Sequence, residues 1–318
     1  MRLLRKSLLL VLGGVGFFLL AGLVAVWAPD KPLEALLPRW GAAPSQFLPI
    51  DGLQVHLRDE GARDDPLPIV LVHGTSDSLH TWDGWARVLV PNRRVIRFDL
   101  AGFGLTGPGA DDDYSIARYV RQVVAVLDHL GLQRVVLAGN SLGGEVAWAT
   151  ALAAPQRVVR LVLVDAGGYA MRPQEVPVAL RMARVPAVRR VMEYFLPRGM
   201  VLASVRNVYG DPSKVTPELV DRYYDMALRA GNRRALGHRM DEGFPDQSSR
   251  IRTLDLPTLI LWGGRDRLIP LSSGQRFASD IARSRLVVWE DLGHLPQQED
   301  PQRTVRELLR FLDGALAN

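Results

Sequence analysis

Short apolar runs alternate with amphipathic stretches over most of the chain. Runs at 47–50 and 54–58 flank Asp51-Gly52, a pair suited to a two-residue hairpin turn. Further runs at 69–72, 95–98, 135–138, 161–164, 258–262 and 286–289 are short and rich in β-branched residues, the pattern of strands buried on both faces. Between them, helices are predicted over 116–130, stopped by Gly131, over 145–154, closed by Pro155, and over 302–316. Such alternation implies a mostly parallel sheet flanked by helices, with functional groups at the carboxyl ends of the strands. His73, Asp99, Ser141, Asp165 and Asp266 all fall just beyond a predicted strand end.

The rhythm breaks between 170 and 250. No strong strand is predicted there, and helical stretches are punctuated by prolines at 173, 177, 186, 197, 212 and 217. The segment reads as a helical cap inserted into an α/β core spanning 47–169 and 251–318. It holds 14 basic and nine acidic residues, an excess equal to the whole chain's net charge of +5. A solvated helical surface accounts for that excess; a lid facing an acidic substrate or anionic lipid is the functional alternative.

The amino-terminal region differs from both. Arg2, Arg5 and Lys6 precede an uncharged apolar run from Ser7 to Ala28, long enough to cross a bilayer and flanked by the positive-inside signal. Residues 1–28 are therefore expected to be a signal-anchor, with the catalytic domain membrane-attached on the periplasmic or extracytoplasmic side. Cleavage after Val26-Trp27-Ala28, giving a secreted protein, is the alternative, although Pro29 follows at once. Residues 29–46, with prolines at 29, 32, 38 and 44, read as a linker.

Composition narrows the chemistry. With 318 residues, 47% of them hydrophobic, the chain can bury one large core and an insertion. It has no cysteine, which excludes disulfides, a thiol nucleophile and thiolate metal sites. Its six histidines lack metal-ligand spacing and no phosphate-binding loop is present, so neither metal nor cofactor is expected. Lysine occurs only at 6, 31 and 214; no nucleic-acid motif accompanies the arginines, and no nucleic-acid partner is expected.

The sharpest local signal is Gly139-Asn140-Ser141-Leu142-Gly143-Gly144, directly after a predicted strand and before a predicted helix. A serine that attacks a carbonyl must stand clear of its own backbone on a tight turn. Glycines on either side remove the Cβ atoms that would clash there. A serine hydroxyl also needs a base, and the base an orienting acid. Of the histidines after Ser141, His238 lies in the cap beside Arg239, whereas His294 follows a strand and a glycine, so His294 is the expected base. For the acid, Asp266 is preferred to Asp165 because its loop neighbours the loop carrying His294. The backbone N–H groups of Leu142 and Thr75 are the expected oxyanion donors, and His73 is read as a structural turn residue.

Together, His73-Gly74, the segment from Asp99 to Gly104, the elbow at 139–144, Gly264-Arg265-Asp266 and Gly293-His294 resemble the α/β-hydrolase superfamily over about 47–318. The resemblance implies an eight-stranded sheet, a helical cap and a Ser141–Asp266–His294 triad. The serine argues against the dehalogenase and epoxide hydrolase branches, which use aspartate. Asn140 beside it is similar to the C–C bond hydrolases of aromatic ring degradation, which often carry a tryptophan where this chain has Leu295. The leading expectation is a serine carboxylesterase or lipase-like enzyme acting on a small-molecule ester, lipid-derived esters included. A C–C bond hydrolase using the same triad and a non-catalytic binding module on the same fold are the rivals.

Overall fold

The computed structural model describes residues 22, 26–170 and 185–314. Eight strands form one sheet: β1 (Gln46–Ile50), β2 (Leu53–Glu60), β3 (Ile69–Val72), β4 (Val95–Phe98), β5 (Val135–Asn140), β6 (Val158–Val164), β7 (Thr258–Gly263) and β8 (Ser284–Trp289). Their order is β1-β2-β4-β3-β5-β6-β7-β8. The β1–β2 and β2–β4 pairs are antiparallel and the others parallel. Asp51 and Gly52 take φ values of 50° and 76° at the β1–β2 hairpin, the positive values that a tight primed turn needs.

Alternation along the buried strands feeds two separate cores. Val70 and Val72 of β3 pack into one hydrophobic cluster and Ile69 and Leu71 into the other, as side chains on opposite faces of a pleated strand must. Helix α1 (Leu33–Trp40) precedes the sheet, and α2 (Asp83–Leu89), α3 (Ile116–His129) and α4 (Leu142–Ala153), with Leu271–Asp280 between β7 and β8, flank it. The last helix, Pro301–Leu312, buries Thr304, Val305, Leu308 and Phe311, a helical stripe against the second cluster. It ends short of the expected 316 because Asp313 caps it; residues 315–318 lie outside the described residues.

Between β6 and β7 the chain forms α5 (Pro186–Met192), α6 (Arg198–Val208), α7 (Pro217–Leu228) and α8 (Asn232–Asp241). Pro217 sits in the first turn of α7, and the Thr216 hydroxyl accepts from the Leu219 N–H. Pro186 and Pro212 likewise open helical turns, so these prolines punctuate helices by starting them, while Pro173 and Pro177 lie outside the described residues. The stretch expected as a linker holds α1, which docks on the cap. Lys31 pairs with Asp225 at 2.7 Å and Trp40 Nε1 donates to the same carboxylate at 2.8 Å. The helix expected across the membrane falls almost wholly outside the described residues. Among the described residues no helix is long and apolar enough to cross one.

Candidate active site

Ser141 is the single residue between β5 and α4, with φ 56° and ψ −119°, a conformation that costs a non-glycine residue energy. The turn closes only because its flanks lack side chains. A Cβ on Gly139 would lie 2.0 Å from the Gly143 carbonyl oxygen, and one on Gly143 would lie 2.3 Å from the Val72 oxygen. Backbone bonds pin the turn: Ser141 N–H donates to Val164 O at 3.0 Å, and Gly167 N–H donates to Ser141 O at 3.0 Å. Because α4 begins at Leu142, the Leu142 N–H has no acceptor within the helix and points from its positive end.

The loop after β3 crosses directly over this turn. A Cβ on Gly74 would approach the Ser141 Cβ to 3.0 Å, so Thr75 is carried past the serine, where the second oxyanion donor was expected. His73 holds that loop. Its Nδ1 donates to Gly74 O at 2.7 Å and its Nε2 accepts from the Leu100 N–H at 2.9 Å, a pairing that requires the neutral tautomer. Asp99, fully buried, accepts from His56 Nδ1, Leu79 N–H and Leu105 N–H, each at 2.7 Å. The His56–Asp99 pair has no local sequence signature, since the partners lie 43 residues apart.

The loops after β7 and β8 bring Asp266 and His294 together. His294 Nδ1 donates to Asp266 Oδ2 at 2.7 Å, and the other carboxylate oxygen accepts from Leu268 N–H at 2.7 Å and Ile269 N–H at 3.0 Å. His294 reaches the serine turn through Asn140, whose Nδ2 donates to His294 O at 3.1 Å and Val164 O at 3.0 Å. Among the described residues the Ser141 hydroxyl makes no hydrogen bond to the imidazole; such contacts commonly tighten only with substrate bound. Asp165, the other acid weighed for this position, does not bond His294 directly. It accepts from Gly263 N–H at 2.9 Å. Burial, followed by the neighbouring Asp266 charge, pushes its carboxyl well above the usual range. His238 is remote from this group, stacking on Tyr114.

Glu299 was not foreseen. Its carboxylate accepts from Gly210 N–H, Asp211 N–H and Gly293 N–H at 2.8–2.9 Å, clamping the His294 loop to the end of α6. Nor was the roof over the donor loop, where Tyr223 of α7 donates to Asp77 Oδ2 at 2.6 Å and Gln298 Nε2 donates to it at 3.0 Å. Beside that roof, a small cleft of about 30 Å³ opens between Ser76, Asp77, Phe103, Met226 and Leu236, next to Thr75 rather than over Ser141 itself. Asp165, Asp266 and His294 offer ligand-type atoms within 4.8 Å of one another. The imidazole Nδ1 is already committed to Asp266, so the cluster has the geometry of an acid–base array.

A family model described as the alpha/beta hydrolase fold matches residues 68–301. The chain is 34% identical to 2-hydroxy-6-oxo-2,4-heptadienoate hydrolase of Pseudomonas putida, over 82% of this chain and 93% of that protein. Among solved structures, the meta-cleavage product hydrolase CumD of Pseudomonas fluorescens is 28% identical with TM-score 0.73, covering 86% of this chain and 98% of that one. A bacterial membrane phospholipase A shares the fold over 100% of both chains, with TM-score 0.71 and 24% identity, a likeness that speaks for the fold alone. The expected localisation is corrected here. Neither a membrane-anchored extracytoplasmic domain nor a secreted one is supported: the described helices include no span, and the relatives matched at 28–34% identity are named a 2-hydroxy-6-oxo-2,4-heptadienoate hydrolase and a meta-cleavage product hydrolase.

Proposed function

The chain belongs to the α/β-hydrolase fold family and is a hydrolase, and from that premise we propose that it cleaves a C–C bond in a 2-hydroxy-6-oxo-dienoate, with Ser141 as nucleophile, His294 as base and Asp266 as its acid partner. The observation that carries this reading is the 34% identity to a heptadienoate hydrolase over 93% of that protein. Asn140 beside the serine points the same way. Its amide ties the serine turn to the histidine backbone, so the residue type shared with ring-cleavage hydrolases has a positioning task in this chain.

The geometry supports the following sequence. His294 takes the Ser141 proton as the oxygen attacks the 6-oxo carbon. The imidazolium that results is stabilised by Asp266 at 2.7 Å. The oxyanion is held by the Leu142 and Thr75 N–H groups, donors of a kind worth several kcal/mol in the transition state. Collapse breaks the bond between carbons 5 and 6. In the dienol form carbon 5 is vinylic and its electron pair would lie outside the π system, so cleavage follows transfer of the 2-hydroxyl proton to carbon 5. The pair released from the C5–C6 bond then delocalises through the 2-oxo-enoate portion as a dienolate, and the imidazolium returns a proton to it. Water then releases the acyl group from Ser141 by the same base.

Ester hydrolysis, the leading sequence expectation, becomes the second reading. It draws on Leu295, buried where ring-cleavage hydrolases often carry tryptophan. Loss of the yellow dienolate absorbance on adding a 2-hydroxy-6-oxo-heptadienoate, set against release of p-nitrophenol from an ester panel, separates the two. Fast dienoate turnover, abolished in Ser141→Ala, is expected. Rapid ester turnover with none of the dienoate would overturn the proposal in favour of the esterase.

A further inference from the structure

Behind the His294–Asp266 pair lies a second carboxyl group that the reaction outlined above does not use. Asp165 is fully buried just beyond the end of β6, with its backbone at a positive φ of 44°, a region that aspartate enters more readily than most residues. The two acids are unequally served. Asp266 accepts three hydrogen bonds, from Leu268 N–H, Ile269 N–H and His294 Nδ1. Asp165 accepts one, from Gly263 N–H on Oδ1, and its Oδ2 is buried with no donor. Oxygen atoms of both acids lie within 4.8 Å of each other and of the imidazole nitrogen. The other charged group facing Asp165 is Glu299, already engaged by three backbone N–H groups.

Two carboxylates this close in a dry interior repel strongly, and one of them takes up a proton. The proton belongs on the acid with the poorer set of donors. We propose that Asp165 is a neutral carboxylic acid whose O–H donates to the Asp266 carboxylate, making it the positioning residue of the acid–base array, so that the two carboxyl groups present one negative charge to His294. The upward push on its carboxyl from burial and from Asp266 has the same direction. The inference rests on the proposed roles of Asp266 and His294.

Infrared spectroscopy of the full chain at neutral pH tests it without a substrate. Carbon-13 labelling of aspartate alone is needed because burial also raises the Glu145 carboxyl. A protonated aspartyl C=O band that moves on deuteration is expected in the wild type and should vanish in Asp165→Asn. Its absence from the wild type, or its persistence in the variant, overturns the proposal.

The second readout is the acid limb of kcat/KM, or of the rate at which a fluorophosphonate labels Ser141. Asparagine donates as the neutral acid does, so Asp165→Asn should stay within about threefold of wild type with the limb in place. Asp165→Leu, similar in size but with no donor, should lose roughly ten- to a hundredfold in kcat with KM little changed. A limb moved down by about one pH unit in Asp165→Asn would mean that a negative charge had been removed, and would overturn the proposal. Should the enzyme leave dienoates untouched, the infrared band still decides this inference, so its failure and that of the functional reading are distinguishable.

Discussion

Acid should loosen the site through Asp99. Its buried carboxylate takes N–H groups from His56, from Leu79 beyond the donor loop and from Leu105 beside the cleft. Burial pushes this carboxyl up. The charge and hydrogen bond of His56, with the Leu79 N–H, outweigh burial and leave it at about 2 against an ordinary 3.8. A carboxyl depressed in the folded state binds protons more weakly there than in the unfolded chain. Its stabilising contribution is therefore complete above the unfolded value of 3.8 and is lost as pH falls through about 2. At about 1.36 kcal/mol per pH unit the difference amounts to about 2.5 kcal/mol, of which about 1 kcal/mol should be gone by about pH 3.

The assay is urea unfolding followed by tryptophan fluorescence, run on wild type and Asp99→Asn between about pH 7 and pH 3. Asparagine does not titrate, and its NH2 group cannot accept from a backbone N–H. The variant should be less stable by about 2 kcal/mol or more at pH 7. The gap should then narrow by about 1 kcal/mol at pH 3, because only the wild type loses the Asp99 contribution. A gap that stays constant over that range would refute the argument.

Gly139→Ala should destabilise the fold by about 3 kcal/mol or more, because its Cβ would sit 2.0 Å from the Gly143 carbonyl oxygen and only backbone could move. Thermal melting measures this, and a melting temperature equal to wild type would refute it. Tyr223→Phe removes the donor to Asp77 Oδ2 and leaves Gln298 Nε2 on that oxygen. It should cost about 1–3 kcal/mol in stability and lower kcat, because the donor loop loses its tie to the cap; steady-state kinetics with unchanged kcat would count against that tie.

Much of the sheet was legible because each buried strand announces itself by residue type. Ile69–Val72 and Val95–Phe98 begin and end where the apolar runs do, while β2 runs on to Glu60 because pairing with β4 carries polar residues along. The elbow was legible for a steric reason, since the glycines at 139 and 143 are the residues between which a backbone can pass. Chain order and strand ends also sufficed to bring Asp266 and His294 into one array. What the sequence hid are contacts made by residues with no local signature. Glu299 reads as one acid among many before a helix, yet it gathers N–H groups from 210, 211 and 293. Tyr223 and Asp77 meet across 146 residues. Asp165 and Asp266 looked like competitors for one task, because proximity of two strand ends says nothing about how the donors are shared between them.

The cap does more than cover the cleft, and this limits how the site can open. Val208, the last residue of α6, accepts the His294 N–H at 2.8 Å. Gly210 and Gly293 donate to the same Glu299 oxygen at 2.9 Å. The strands of chain cross so closely there that a Cβ on Gly293 would stand 2.4 Å from the Gly210 nitrogen. A rigid lift of the whole cap would break the bond on the histidine backbone and strip Glu299 of two donors, leaving a buried carboxylate poorly paired, an outcome that costs several kcal/mol. Movement that admits substrate must therefore leave 208–211 seated and work beyond Asp211, where Tyr223 and the Met226–Leu236 wall of the cleft lie. On this argument the proposed base is braced by the first part of the cap, through Val208, Gly210 and Asp211, and the loop carrying Thr75 by the second, through the Tyr223–Asp77 bond.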